Sequence, residues 1–276
     1  MITYDKIDAL NWSTLKIMGE ASPAYAKHQY DHPEEREDKA AYVSGRAIHC
    51  ATLEPDQFDD RYVVMPTFSG TGSRAAKKEW LDDLPDGVET IKQVDYDMAW
   101  RAAGAVRTNK EAMALLDGAK CEKIVTWKLG GDLGGIKCKG RLDALTIDRV
   151  IELKYIRHNT LYLIEKDAAI FNYHAQLAWY HDGAVKAGLI TGEKLPAEIF
   201  VHASQKSTFT DVAILDMDKM DGTFAYGRAK YETLLKRYIG CKAANWWPGM
   251  APTSVMWVLP DWKLKADEEE VKICDV

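Results

Sequence analysis

The sequence predicts an α/β protein: a mixed central sheet flanked by helices, with helical additions at both ends. Two observations predict it. Runs rich in β-branched and apolar residues occur at 121–129, 135–147, 150–155, 197–203 and 208–215, each of strand length and bounded by turn residues. Between and around them, residues 93–116, 160–188 and 218–245 place apolar side chains at helical spacing,. The 276 residues are 47% hydrophobic, enough for a substantial core. They suit a single domain over 1–265 followed by an acidic tail, 266–276. Within it, 1–118 read as mainly helical, 119–245 as the sheet with its helices, and 246–265 as irregular and aromatic-rich.

In chain order, residues 12–30 read as helix with Ser13 as N-cap, broken by Pro23. Residues 38–54 form a second helix, stopped by Pro55. Gly45 and His49 are four apart and share a face. A glycine there lets another backbone approach, so His49 is expected against whatever packs on Gly45. Residues 58–87 read as irregular around a short helix at 74–81. The loop Ser69-Gly70-Thr71-Gly72-Ser73-Arg74, followed by Lys77-Lys78, offers N–H groups and positive charge to a phosphate. Residues 93–116 read as one helix with Val94, Met98, Ala102, Val106 and Met113 inward. The runs 121–129 and 135–147 flank the glycine-rich stretch 130–135 and read as a hairpin. That stretch is not a phosphate loop, since no Gly-Lys-Ser/Thr follows. Residues 160–188 form one long helix or a pair, with Gln176 and Tyr180 on one face and Trp179 in packing. The helix 218–245 carries Arg228, Lys230, Lys236 and Arg237.

Residues 139–155 are two apolar-rich runs broken at Asp148-Arg149, a second hairpin. Glu152 and Lys154 are two apart and share a strand face. A two- or four-residue loop centred on 148/149 sets Asp143 opposite Lys154 and Leu145 opposite Glu152, with β-carbons about 4.5–5.5 Å apart. A three-residue loop turns Asp143 to the other face. In the first register, two carboxylates and one ammonium meet on one patch. Such oxygen donors suit a hard divalent cation, Mg²⁺ above all. An ion there polarises a phosphodiester and acidifies a bound water. Lys154 orients that water or helps to deprotonate it, since lysine pKa values fall on burial.

The spacing from Asp143 to Glu152-Leu153-Lys154 resembles the PD-(D/E)xK nuclease superfamily. Gly45-Arg46-Ala47-Ile48-His49, Gly140-Arg141-Leu142-Asp143 and Gln176-Leu177-Ala178-Trp179-Tyr180 follow in the order of its branch holding RecB-like nuclease domains, lambda exonuclease and the RecE-type (exodeoxyribonuclease VIII-like) phage and prophage exonucleases. The opening at Ser13 to Leu15, Ser22-Pro23-Ala24-Tyr25 and His49-Cys50-Ala51-Thr52-Leu53-Glu54-Pro55 look most like the RecE-type group. The resemblance spans about 13–238. Leu142 stands where the superfamily's name has proline, and the basic segment after the first helices is thin in charge. The resemblance implies a restriction-endonuclease-like core and a Mg²⁺-dependent 5′-to-3′ exonuclease on double-stranded DNA ends, with Mn²⁺ able to substitute. It implies 5′-mononucleotides as product and a 3′ single strand passed to a single-strand annealing recombinase. His49, Asp143, Glu152 and the Leu153 carbonyl would hold metal, with Glu122 as a further acid. Lys154 would position water, and Gln176 and Tyr180 would orient it or the phosphate. Ser13, Lys16, Arg74, Lys78 and Arg141 are candidate DNA contacts. A ring-shaped homo-oligomer, trimer or tetramer, is also implied. An endonuclease of the same fold and a catalytically idle DNA-binding scaffold are the alternatives.

The formal net charge is −6, awkward for a nucleic-acid binder unless positive charge is local. Five cysteines without a C-x-x-C argue against a zinc or disulfide framework. No apolar run reaches the ~18 residues a membrane span needs, and no signal pattern opens the chain. A cytoplasmic protein is expected.

Overall fold

The computed structural model describes residues 4–33, 40–130, 135–220, 222–251, 253–254 and 261, with side chains of the third helix described from residue 43. The acidic stretch 34–38, the centre of the glycine-rich turn, most of 255–262 and the tail lie outside the described residues. Helix α1 (Trp12–Glu20) starts at Asn11, whose side chain accepts from the Thr14 N–H at 2.9 Å. Asn11 is therefore the cap, and Ser13 lies exposed in the first turn. Ser22 caps α2 (Pro23–Asp31), accepting from Tyr25 N at 3.2 Å. Pro23 opens that helix, where a missing N–H costs nothing. Helix α3 (Ala40–Leu53) ends before Pro55.

The stretch expected to be irregular holds α4 (Phe58–Arg61), β1 (Tyr62–Val64), α5 (Ser73–Asp82) and β2 (Glu89–Ile91). Strands β1 and β2 pair in parallel in a sheet of their own; at three residues each they are too short to show a period. The single helix expected at 93–116 is two, α6 (Gln93–Thr108) and α7 (Lys110–Leu116). Asn109 divides them and caps α7 through Ala112 N–H at 2.9 Å. Val94 and Met113 are correspondingly exposed, and Met98, Ala99, Ala102, Ala103 and Val106 form the buried face.

The central sheet comprises β3 (Lys120–Lys128), β4 (Lys137–Leu145), β5 (Val150–Ile156), β6 (Ala197–Ser204) and β7 (Ser207–Asp216) in that spatial order. Strands β5 and β6 run parallel and the other neighbours antiparallel. The parallel step requires a crossover, supplied by α8 (Leu161–Ile170) and α9 (Tyr173–Lys186); 160–188 is thus a pair. Helix α10 (Thr223–Ala244) lies across α9. One face of the sheet packs on α1, α9 and α10 through Leu15, Trp127, Leu142, Trp179 and Leu234. The other packs on α3 and α6 through Ile48, Met98, Ile151, Leu153 and Val201. Two glycines set the spacing on the first face. A Cβ on Gly227 would stand 2.2 Å from the His174 carbonyl oxygen, and one on Gly140 would stand 3.0 Å from the Tyr180 ring. The glycine of Gly-x-x-Asp and the tyrosine of Gln-x-x-x-Tyr are therefore one packing unit.

The hairpin β4–β5 differs from the sequence reading in register. Thr146 N–H bonds the Arg149 carbonyl, and the pairs are Ala144↔Ile151 and Leu145↔Val150. The turn is centred between Ile147 and Asp148. One step further, this register sets Asp143 across from Glu152 rather than Lys154. The reason is Arg149, expected in the loop but only 7% exposed. Its guanidinium reaches both carboxylate oxygens of Asp216 at 2.9 and 3.3 Å and also pairs with Asp218, which draws it into the strand.

Candidate metal centre

Backbone pairing between β4 and β5 stops after those two residue pairs. Beyond Ala144 the strands part, and side chains take over their hydrogen bonds. Asp143 Oδ2 accepts from Leu153 N–H at 2.8 Å, and Glu152 Oε1 from Asp143 N–H at 3.3 Å. The far end of the freed β4 edge is taken by Leu10, which bridges to Cys138 and bonds Lys137 and Lys139. Residues 140–143 are left facing a gap in the sheet.

The face alternation of β4 also breaks here. Cys138 and Leu142 lie in the α9-side core, Ala144 in the α3-side core and Leu145 again in the first. The neighbouring strand breaks at the same level, where Glu122 has φ of 49°. For a residue other than Gly, Asn or Asp this left-handed conformation costs roughly 1–2 kcal/mol, and such strain gathers at functional sites. Its effect is to turn the Glu122 carboxylate toward Asp143. With His49 from α3, these side chains offer donor atoms all within 4.8 Å of one another. His49 Nδ1 is 3.7 Å from Asp143 Oδ2.

The electrostatics are those of a site short of positive charge. Burial, then the nearby Asp143, pushes the Glu122 carboxyl up to about 7 despite Arg141 Nε at 3.2 Å. Burial lowers His49, and this outweighs the opposing pull of Asp143. A neutral imidazole is the form that ligates metal. One imidazole and two carboxylates suit Mg²⁺ or Mn²⁺, and a cation among them removes the mutual repulsion of the acids.

Glu152 and Lys154 stand beside this trio, toward α9. Glu152 is 1% exposed. Its Oε2 accepts from Lys154 Nζ at 3.0 Å and from Gln176 Nε2 at 3.2 Å, and Gln176 reaches the Tyr180 hydroxyl at 3.4 Å. Burial and then Asp143 raise the Glu152 carboxyl to about 8. Burial by itself would lower the Lys154 ammonium, but Glu152, Asp143 and Glu198 outweigh it and hold it above the ordinary lysine value. A protonated amine donates hydrogen bonds, which fits the first of the two roles the sequence offered, orienting a water, and not the second, accepting its proton.

Glu198, on β6 and 2% exposed, is the residue sequence reasoning missed. Its Oε1 lies 4.0 Å from Lys154 Nζ and has no hydrogen-bond partner. The available signal was an acid inside the otherwise apolar run Ala197-Glu198-Ile199-Phe200-Val201.

The trio and Lys154 open on a cleft of about 680 Å³ walled by Arg46, Arg61, Arg141, Arg157, Phe171 and Tyr173. Four arginines line the cleft, three of them paired with Glu89, Glu54 and Glu122, and of the four the sequence reading placed only Arg141 among the DNA contacts. Arg46 is held bidentately by Glu89 and Arg61 by Glu54, whereas Arg157 is exposed. Gly45 also lines this cleft, with nothing within 4 Å of a Cβ added there. Among the described residues no backbone packs on it, contrary to expectation; it leaves open space one turn from His49.

The candidate DNA contacts separate clearly. Lys16 stands at the rim, its Nζ 5.3 Å above the Phe171 ring. Arg74 and Lys78 on α5 are not among the cleft residues, and Lys78 pairs with Asp82. Arg228 is held bidentately by Asp182, and Arg237 bonds the Met18 carbonyl, so both serve helix packing. The cysteines Cys50, Cys121, Cys138 and Cys241 are free thiols. Among the described residues, no helix is long and apolar enough to cross a membrane.

A family model described as "PDDEXK-like domain of unknown function (DUF3799)" matches residues 11–254. No curated protein matches. A solved structure described as the crystal structure of SSO0001 is 16% identical, covering 70% of this chain and 85% of that one, with a TM-score of 0.26; a likeness at that score carries no argument.

Proposed function

Because the chain belongs to the PDDEXK-like family of domains of unknown function (DUF3799), we propose that it is a divalent-metal-dependent nuclease. More finely, we assign it as a Mg²⁺-dependent 5′-to-3′ exonuclease on double-stranded DNA ends, releasing 5′-mononucleotides. The observation that carries the nuclease reading is the meeting of His49, Glu122 and Asp143 with the Glu152–Lys154 pair at a gap in the sheet, beneath an arginine-walled cleft. Polarity, product, a ring-shaped oligomer and delivery of a 3′ strand to a recombinase follow from resemblance to the RecE-type group.

His49, Glu122 and Asp143 would hold the ion, with Glu152 and the Leu153 carbonyl beside them. Such an ion supplies Lewis acidity and an acidified water. The chain's own residues do the rest. Lys154, kept charged by Glu152 and Glu198, donates to phosphate oxygen where negative charge builds in the transition state. Gln176 fixes Glu152, and Tyr180, seated on Gly140, fixes Gln176. Arg141 and Arg157 grip the flanking phosphates, for which guanidinium geometry is suited.

The test is release of acid-soluble nucleotides from linear duplex with and without Mg²⁺. Lys154→Ala is expected to lower the rate by about 10²–10³, the usual loss for one preorganised donor, and Lys154→Met to do the same. Activity equal to wild type in both removes the mechanism. Cleavage of a covalently closed circle would replace the exonuclease assignment with an endonuclease.

A further inference from the structure

At the mouth of the cleft, two aromatic rings lie between two ammonium groups. Phe171 and Tyr173 stack with centroids 5.8 Å apart and planes 30° apart. Lys154 Nζ is 5.4 Å from the Tyr173 centroid and Lys16 Nζ 5.3 Å from that of Phe171. The row runs from the catalytic ammonium to the surface. Phe171 is 42% exposed, and both rings line the same cleft as His49 and Asp143.

The backbone is bent to produce this. Asn172, between the two rings, has φ of 57°. Its side chain bonds the Ile170 carbonyl and Glu20 Oε1, at 3.4 and 3.5 Å. Glu20 also pairs with Lys16 at 3.8 Å. Three elements, α1, α8 and α9, thus cooperate to hold one phenyl ring out of the core and beside the reacting centre. An exposed phenyl between cations, next to a phosphate-binding cleft, has one obvious chemical complement: the flat face of an unpaired nucleobase, with its phosphates lying along the lysines.

We propose that Phe171 is the stacking platform for the unpaired terminal base of the substrate, with Tyr173 backing it and Lys16 taking an adjoining phosphate. This rests on the nuclease reading above and deepens it. A duplex terminus is engaged only after its last base has left its partner, and the ring is the surface that receives it. Because stacking accepts any base, the subsite imposes strand separation without sequence preference.

The experiment measures affinity by fluorescence anisotropy, in Ca²⁺ in place of Mg²⁺, for a duplex with a short unpaired end and for the same duplex with abasic residues in that end. Wild type is expected to bind the abasic end about tenfold more weakly, the usual order for one stacked base. In Phe171→Ala the two ends should bind alike, and Phe171→Trp should restore the difference. An abasic penalty in Phe171→Ala equal to wild type overturns the platform while leaving the nuclease reading intact. So does a Phe171→Ala chain that keeps the penalty but changes its sedimentation mass, which would assign the ring to a subunit contact. Absence of any Mg²⁺-dependent nucleotide release by wild type overturns the nuclease reading itself, and the platform with it.

Discussion

Gly227 offers the sharpest check on the packing that holds the site. It sits where α10 crosses α9, and an alanine Cβ there would lie 2.2 Å from the His174 oxygen, 2.6 Å from its carbonyl carbon and 3.2 Å from Ala175 N. All three are backbone atoms, so no side chain can swing aside. Restoring ordinary contact requires the helices to separate by about 1 Å, against the Arg228–Asp182 and Tyr231–Asp182 links that join them. Overpacking of this kind costs about 1–3 kcal/mol, and a purely backbone obstacle belongs at the upper end. Opposing it, alanine is favoured over glycine within a helix by about 1 kcal/mol. The net for Gly227→Ala is a loss of about 2 kcal/mol. At about 2–4 °C per kcal/mol for a chain of this size, Tm falls by about 4–8 °C. The internal control is Gly240→Ala on the same helix, where a Cβ meets nothing within 4 Å; propensity acts alone there and Tm rises by about 2–4 °C. Thermal unfolding followed by circular dichroism reads both. If Gly227→Ala also raises Tm, the close crossing is wrong. His174 is two residues before Gln176, so the same variant should lose nuclease rate at temperatures where it is fully folded.

The remaining predictions concern charge. Mg²⁺ or Mn²⁺ at a hundred times its Kd should stabilise the fold by about 2.7 kcal/mol, read as a rise in Tm that His49→Ala and Glu122→Gln each abolish; a rise undiminished in both places the ion elsewhere. The carboxyls of Glu122, Glu152 and Glu198 are raised from an ordinary 4.5 to about 7, 8 and 7, so the folded chain binds more protons than the unfolded one across that interval. Their contribution to metal-free stability should therefore fall as pH rises from about 4.5 to 8, against the opposite slope of His49, His174 and His181, which burial lowers. In urea titrations the stability of wild type relative to Glu198→Gln should fall over this range, and a difference that does not change with pH contradicts the burial of Glu198. Arg149→Ala takes the guanidinium from Asp216 and Asp218 and should cost about 3–5 kcal/mol. Arg149→Met loses the same charge but keeps an apolar stem and should cost nearly as much, and denaturant midpoints that show a much smaller loss for Met would mean that packing, not charge, is at stake.

The mixed sheet and its flanking helices were legible because their signals are long and periodic. So were the residues of the ordered motifs, whose spacing reflects contacts such as Gly140 against Tyr180. The hairpin register was not legible, since it turns on Arg149 meeting Asp216, 67 residues away. The backbone turn at Glu122 was equally hidden: glutamate carries no preference for positive φ, and the strain is imposed by its neighbours. Splitting of 93–116 was a local signal passed over, because Asn109 is a good cap and apolar periodicity ran on through it. Phe171 and Tyr173 carried no signal of their own in the sequence, and only the bend at Asn172 separates their surroundings. Glu198 illustrates a different limit: an acid in an apolar strand is visible, but its partner Lys154 lies on another strand of the sheet.

The early parting of β4 and β5 has a consequence for how the protein can be watched. In an ordinary ladder the Leu153 amide would be tied to a neighbouring carbonyl and exchange its hydrogen only on unfolding. Here its acceptor is the Asp143 carboxylate, one of the trio that could hold a metal ion. Whatever draws that acid away leaves the amide to water, so deuterium uptake at this one position, compared with Ile151 two residues earlier, reports from within the fold whether the carboxylate is still engaged with the chain.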